Sequence, residues 1–403
     1  MPNPASGVFK QLAYKSESTF GTVPSASGAQ SLRRVQSTLD LSKDTYQSNE
    51  IRADQQVADM RHGVRRVTGQ ITGELSPATY KDFFAQILRR DFTALSAISG
   101  VSVTIAGTGP YTVTRASGSF LTDGLKAGDV IRITAGSVNA ANLNKNLLIT
   151  GLTATVLTVI VLNGSSLIAE GPIASCTVTL AGKKTFVPAS AQTDRSFSIE
   201  HWFSDLGKSE VFSGCKASKI AIQMPPTGMV TVAVDITGQN VTTAASQYFT
   251  SPTSASTSGC LASVNGVLRV GGTAVATLTG LSLDVNSNFT GDPVVGANTV
   301  PFLYPGRILV SGQATAYFDS TTLRDAFLDE TELDLLAVFT ASSDKDAKFV
   351  SFVLPRIKLG GASKNDGEGG IIQTLPFTAL LNTAGGAALV SEYTTISIQD
   401  SDA

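Results

Sequence analysis

The side chains that most often act as bases, nucleophiles or metal ligands are sparse here. There are two histidines, His62 and His201, and three widely spaced cysteines, Cys176, Cys215 and Cys260. His62 lies in a charged ribbon, and His201 sits beside Trp202 in SIEHWFSD. No GxSxG elbow accompanies either, so nothing points to an activated serine. Three scattered cysteines form neither a disulfide framework nor a CxxC metal pair, and they read as buried, inert thiols compatible with a reducing cytosol. HExxH and EF-hand patterns are absent. DVNSNFTGD (284–292) alternates oxygen-bearing residues but lacks the acidic twelfth-position anchor of a calcium loop, and any strand with a polar face alternates in this way. LGGASKNDGEGGII (359–372) is glycine-rich, but a phosphate cradle needs its glycines between a strand and a helix N-terminus. The extended-looking IIQTLPFTALL overlaps its end and no GK[ST] follows, so it reads as a flexible loop. No catalytic, cofactor or metal site is expected.

Composition points elsewhere. Charged residues make up 15% of the 403-residue chain, against roughly 25% in an ordinary globular protein. Gly, Ser, Thr, Ala and Val dominate, which favours β structure with many turns. The net charge of −2 gives no general attraction to nucleic acid or anionic membrane. The N-terminal MPNPASGVFKQLAYKSE has no charged segment followed by an apolar core, so no secretory signal is expected. The long apolar run LLITGLTATVLTVIVL (147–162) holds four threonines and a glycine. It is short for a membrane span and reads as strand–turn–strand.

Period-two alternation predicts strands over 64–75, 217–224, 229–237, 278–289 and 307–318. A hairpin is predicted over 333–341 and 347–359 across the polar turn SSDKD, with a closing strand at 390–399. RRVTGQITGEL, MVTVAVDITGQNV and GRILVSGQATAYF share alternation and a small-polar vocabulary, as in a sheet built from related hairpins. Two helices are predicted. SPATYKDFFAQILRRDF (76–92) has Ser76 as N-cap and Pro77 in the first turn, with Tyr80, Phe83, Phe84, Ile87 and Leu88 on one face. DSTTLRDAFLDETEL (319–333) has Asp319 or Ser320 as cap and Leu323, Phe327 and Leu328 inward. Residues 96–185 differ in texture, with few charges and short strands punctuated by turns at intervals of roughly ten residues. They read as an inserted small all-β barrel or sandwich domain, interrupting a core made of 1–95 and 186–403. SQYFTSPTSASTSGCLAS (246–263) reads as a surface loop.

The polar faces of four predicted strands carry the functional signal. They are Thr68, Gln70, Thr72 and Glu74; Thr231, Asp235 and Thr237, with Ala233 between; Ser282, Asp284 and Asn286, running on to Asn288; and Ser311, Gln313 and Thr315, preceded by Leu309. These faces hold three acids and no lysine or arginine, where a solvated surface usually mixes Lys with Glu. A conduit for DNA must not hold it. Each cation on a phosphate adds affinity through counterion release, and a neutral-to-acidic lining lets the polymer slide.

The chain resembles the tail tube proteins of long-tailed, non-contractile (siphovirus-type) bacteriophages. The resemblance rests on SNEIR at 48–52, the VTGQITGEL strand running into SPATYKDFFAQIL, KFVSFVLPRIKL at 348–359, and TLPFTALL with VSEYTTISIQD, in that order. It implies a mainly β fold, a β-sandwich with flanking α-helices. It also implies a non-enzymatic virion protein forming six-membered rings, whose inner sheets join around a lumen and which stack into a tube. The implied partners are other copies of itself, tape measure, tail terminator and baseplate proteins, and DNA in transient non-specific passage, with no membrane. The implied location is the virion tail, with assembly in the host cytoplasm. The 96–185 segment departs from the minimal pattern and is expected outside the tube.

A capsid decoration or baseplate protein is the alternative, and a carbohydrate-binding β-sandwich is a third reading that a single tryptophan and no evident acid pair disfavour. The ribbon 43–66 carries five basic residues (Lys43, Arg52, Arg61, Arg65, Arg66) and four acids (Asp44, Glu50, Asp54, Asp59). That near balance suits pairing with a copy of itself, so Glu50, Arg52, Asp54, Asp59, Arg61, Arg65 and Arg66 are expected at contacts between rings.

Overall fold

The computed structural model describes residues 4–274, 277–366 and 368–403. Residues 1–3 of the N-terminal segment and residue 367 of the glycine-rich loop lie outside them. The fold is mainly β, with two short helices, α1 (Lys81–Leu88) and α2 (Thr322–Leu328).

Its largest feature is a wall of six antiparallel strands: β1 (Met60–Glu74), β2 (Lys208–Met224), β3 (Thr231–Gly238), β4 (Leu278–Asn286), β5 (Leu309–Tyr317) and β6 (Ile372–Ala379). They pair in the order β1-β3-β2-β4-β5-β6. The alternation that predicted these strands exists because one face of the wall is buried and the other is not. Val67, Ile71, Ile220, Ile222, Val232, Val234, Leu283, Val285 and Val310 all point into one core. Burial of each such side chain stabilises by about 1.5–3 kcal/mol before entropy is counted. β2 is 17 residues long. Its first half pairs with Phe197–Phe203 and Asn240–Ala244, and its second half with β3 and β4.

Behind the wall lies the predicted hairpin, Leu333–Thr340 with Phe349–Leu359, flanked by Ser397–Asp400. Both of its faces are covered. Leu335, Ala337, Phe339, Phe352 and Leu354 join the wall's core together with Phe83, Phe84, Ile87 and Leu88 of α1. Leu336, Val338 and Phe349 face the other way, onto Val130, Leu148 and Ala181. Those last residues belong to or adjoin a closed six-stranded barrel within 98–180, with its own apolar core. Leu147–Leu152 and Val156–Val161 form one of its hairpins, as the apolar run predicted.

Polar clamps tie the barrel down. Gln399 donates from Nε2 to the Val130 and Ala181 carbonyls (2.8 Å each) and accepts the Val130 N–H on Oε1 (2.9 Å). Lys184 is buried between Asp129 (3.0 Å) and Glu392 (2.9 Å). At Gly128, with a φ of 91°, a β-carbon would lie 2.8 Å from the Val353 methyls. The layers therefore run wall, shared core, hairpin, barrel.

Several expected elements are shorter. The helix read over 76–92 is confined to α1. Ala78 takes a left-handed φ of 65° and donates its N–H to the Asp400 carboxylate (2.7 Å), which is incompatible with a helix starting at Pro77. Ser76 bonds Thr79 through its hydroxyl (2.6 Å) instead of capping, Tyr80 holds the N-cap position, and Arg89 ends the helix at a φ of 59°. The helix read over 319–333 is confined to α2, with Thr321 rather than Asp319 or Ser320 at its N-cap position. Leu323 packs against the core, but Leu328 is exposed rather than inward. Only Ser397–Asp400 of the segment read over 390–399 is a strand; residues 390–396 run as bends held through Glu392. Short strands at Lys10–Ser16, Asp40–Gln47 and Phe197–Phe203 add to the sheets.

Candidate functional site: a polar wall and an exposed arm

The register sets the outward residues of the wall side by side. Thr68 stands opposite Thr237, Gln70 opposite Asp235, Thr72 opposite Ala233 and Glu74 opposite Thr231. Across the wall, Ser282 pairs with Gln313, Asp284 with Ser311, Asn286 with Leu309, and Thr315 with Gly280. β2 joins the two halves, Ala221 lying between Ala233 and Asp284. All thirteen predicted polar residues thus share one face, opposite the buried alternates. Gln70 Nε2 donates to Asp235 (2.7 Å), and the hydroxyls of Thr279 and Thr315 bond at 3.0 Å. Behind β1, a β-carbon at Gly69 would press on the backbone of Thr38 and Leu39, and one at Gly73 on the Tyr80 hydroxyl, so both glycines serve close packing.

One expectation is corrected. The face is not free of cations, because β2 inserts between β3 and β4 and turns Lys219 outward, where its Nζ lies 3.1 Å from Asp284. Three acids (Glu74, Asp235, Asp284) against Lys219 leave the outward residues from Thr68 onward at −2, so this part of the wall is still acidic, while Arg66, the preceding outward residue of β1, belongs to the base of the arm. β6 extends the same face with Thr374, Pro376 and Thr378, which stand opposite Thr315, Gln313 and Ser311.

The ribbon 43–66 forms an arm. Asp40–Gln47 pairs with the start of β1, setting Ser42 opposite Arg66, Lys43 opposite Arg65 and Tyr46 opposite Arg61. Residues 49–62 are exposed throughout, with Tyr46, Ile51, Val57 and Met60 as large apolar side chains in water. Arg52 pairs with Asp54 (2.9 Å) and Arg61 with Asp59 (2.7 Å), inside the arm. Among the described residues Lys43, Asp44, Glu50 and Arg66 form no ion pair. Arg65 differs from the other predicted contact residues. It is half-buried at the arm's base, its side chain reaching Asn240 (3.4 Å) and its N–H donating to the Asn298 carbonyl (2.8 Å). It anchors the arm within its own chain.

The remaining chemistry-bearing groups are structural. His201 is buried, bonded to the Ser37 hydroxyl at 2.9 Å; burial, with the charges of Lys10 and Arg34, holds its pKa down at about 3, so the ring is neutral. His62 is exposed on the arm. Burial also pushes the Cys176, Cys215 and Cys260 thiols up, away from reactive thiolates. Asp284 is committed to Lys219 and Asn286 to the Asn288 N–H. Among the described residues no cluster of three potential metal ligands occurs, and no helix is long and apolar enough to cross a membrane.

No curated protein matches the chain. A family model described as "Phage tail tube protein" matches residues 10–379.

Proposed function

Because the chain belongs to the phage tail tube family, a family of structural proteins of the virion tail, we propose that it forms six-membered rings that stack into a conduit for DNA. The observation that carries this reading is the six-stranded wall, with its unbroken polar face at −2 and its lone lysine held by Asp284. From Thr68 onward such a face offers phosphates no unpaired cation, the exposed Arg66 lying beyond it at the base of the arm, so passage releases few counterions and the polymer is not retained. In this reading Thr68, Gln70, Thr72, Glu74, Thr231, Asp235, Thr237, Ser282, Asp284, Asn286, Ser311, Gln313 and Thr315 face the lumen.

The core is a β-sandwich of wall against hairpin, with α1 and α2 flanking it. The barrel lies outside the tube as an inserted domain, since the hairpin and the shared core separate it from the wall. The arm reaches the next ring with Glu50, Arg52, Asp54, Asp59, Arg61 and Arg66, while Arg65 fixes its root. Ring closure removes open sheet edges that would otherwise invite indiscriminate pairing. Tape measure, terminator and baseplate proteins cap and measure the tube, which assembles in the host cytoplasm. Electron microscopy of the purified chain tests the reading: hollow tubes of stacked rings are expected. Monomers that persist at high concentration and with tail nucleators would refute it.

A further inference from the structure

A groove of about 880 Å³ runs between residues 7–12 and 31–37. It lies beside the β1 edge of the wall, where Gln36–Ser37 pairs with Ile71–Thr72 of β1 and, among the described residues, with no strand on its other side. Val8 and Val35 stand exposed along it. Two cations line it. Lys10 Nζ donates to the Ser37 carbonyl (3.0 Å), and the Arg34 guanidinium donates to the Lys10 carbonyl. Neither is within ion-pair distance of a carboxylate among the described residues; Glu210 acts on Lys10 only from a distance. Burial and the neighbouring guanidinium both weaken the hold of Lys10 on its proton, so the pair is under mutual repulsion that an incoming carboxylate would relieve.

The corner that follows β5, the strand next to the wall's far edge, has the opposite character. Residues 319–334, comprising α2 and its flanks, hold six acids (Asp319, Asp325, Asp329, Glu330, Glu332, Asp334) and one arginine, Arg324. Leu328 and Tyr317 are exposed among them. The two regions also lie toward the same end of the wall. Gln36 is level with Thr72, and the paired row runs on through Ala233, Ala221 and Asp284 to Ser311. Arg34 lies two residues beyond Gln36, and Tyr317 six beyond Ser311, toward the same end of the wall.

We infer that the Lys10–Arg34 groove receives the acidic α2 corner of a second copy of this chain, making a head-to-tail seam between ring neighbours. The seam rests on the ring reading above. Three of the corner's acids are already paired, Asp325 with Arg324 (2.6 Å), Glu332 with Arg356 (2.5 Å) and Glu330 with Lys358 (3.4 Å). That leaves Asp319, Asp329 and Asp334 with no ion pair among the described residues. Each patch thus joins exposed apolar side chains to an excess of charge, and the two excesses are opposite in sign. Such pairing fixes which edge meets which and speeds encounter. Because the two patches are different surfaces, repetition continues from copy to copy instead of stopping at a pair, and closes into a ring where the rotation between neighbours allows.

The test uses the full chain, with assembly followed by sedimentation and electron microscopy at low salt. Asp329→Lys with Glu330→Lys alters two exposed side chains and should cut the assembled fraction at least about tenfold, equivalent to about 1.4 kcal/mol. Lys10→Glu with Arg34→Glu should do the same, and all four changes together should restore rings. Unchanged thermal melting excludes misfolding. A wild-type chain that forms rings while the Asp329/Glu330 variant forms them equally well overturns this seam and leaves the ring standing. A wild-type chain that never assembles removes both.

Discussion

Gln399→Leu isolates what holds the barrel to the rest of the molecule. Leucine keeps the approximate shape of the buried glutamine and removes its three hydrogen bonds. The Val130 carbonyl keeps a partner, because the Ala181 N–H also donates to it at 2.9 Å. The Val130 N–H and the Ala181 carbonyl do not. Each buried backbone group left unpaired costs about 1–3 kcal/mol, so the substitution should destabilise by about 2–6 kcal/mol, less a small gain from the apolar side chain. Urea unfolding would show the loss in an early phase confined to the barrel contact. Native-state hydrogen exchange would show it most directly, as a Val130 amide that opens by that much less free energy. A change below about 1 kcal/mol, with Val130 exchange unaltered, would mean that the apolar contact of Leu336, Val338 and Phe349 suffices and that the clamp is incidental.

Two further outcomes follow from the wall and the C-terminus. Thr72→Lys with Ser282→Lys places two unpaired cations on the polar face; tubes should still form, but DNA should be retained at low salt and released as salt rises, as measured by ejection or by binding to pre-formed tubes, while the paired glutamine variant behaves as wild type. Burial raises the Asp400 carboxyl to about 6 despite N–H bonds from Ala78 and Asp402. A carboxyl raised in the folded state above its unfolded value near 4 stabilises when protonated, so its contribution is full below about pH 4 and is lost as pH rises through about 6. Thermal melts across that window should show the slope, Asp400→Asn should flatten it, and an unchanged slope would assign it to another group.

Legibility in the sequence followed burial. Strands with one wet and one dry face, such as Val67–Glu74 and Thr231–Gly238, alternate and were readable. LDLLAVFT and FVSFVL lost alternation because both faces are covered, and only the polar turn between them marked the hairpin. KQLAYKS and DLSKDTYQ, short and polar, carried too little pattern. The start of α1 is not legible locally, because Ala78 answers to Asp400, 322 residues away, a contact no local rule contains. Lys219 escaped for a related reason. Its strand was evident, but its place between β3 and β4 is a matter of topology. Arg65 likewise looks like any arm residue until Asn240 and Asn298 are brought beside it.

The barrel's entry and exit are joined to each other. Thr93 and Lys184 exchange backbone hydrogen bonds at 2.9 and 3.0 Å, so the chain leaves the main body and returns at almost one point. A socket of this kind accepts other cargo with little disturbance to what surrounds it, and a few residues could bridge it. Its floor is greasy, however. Removing the barrel would bare Leu336, Val338 and Phe349 along the flank of every subunit. In the proposed tube, such bared flanks would adhere side by side and gather tubes into bundles. In that tube the barrel would therefore shield neighbouring tails from one another, and any replacement module must bring an apolar patch of its own to cover that floor.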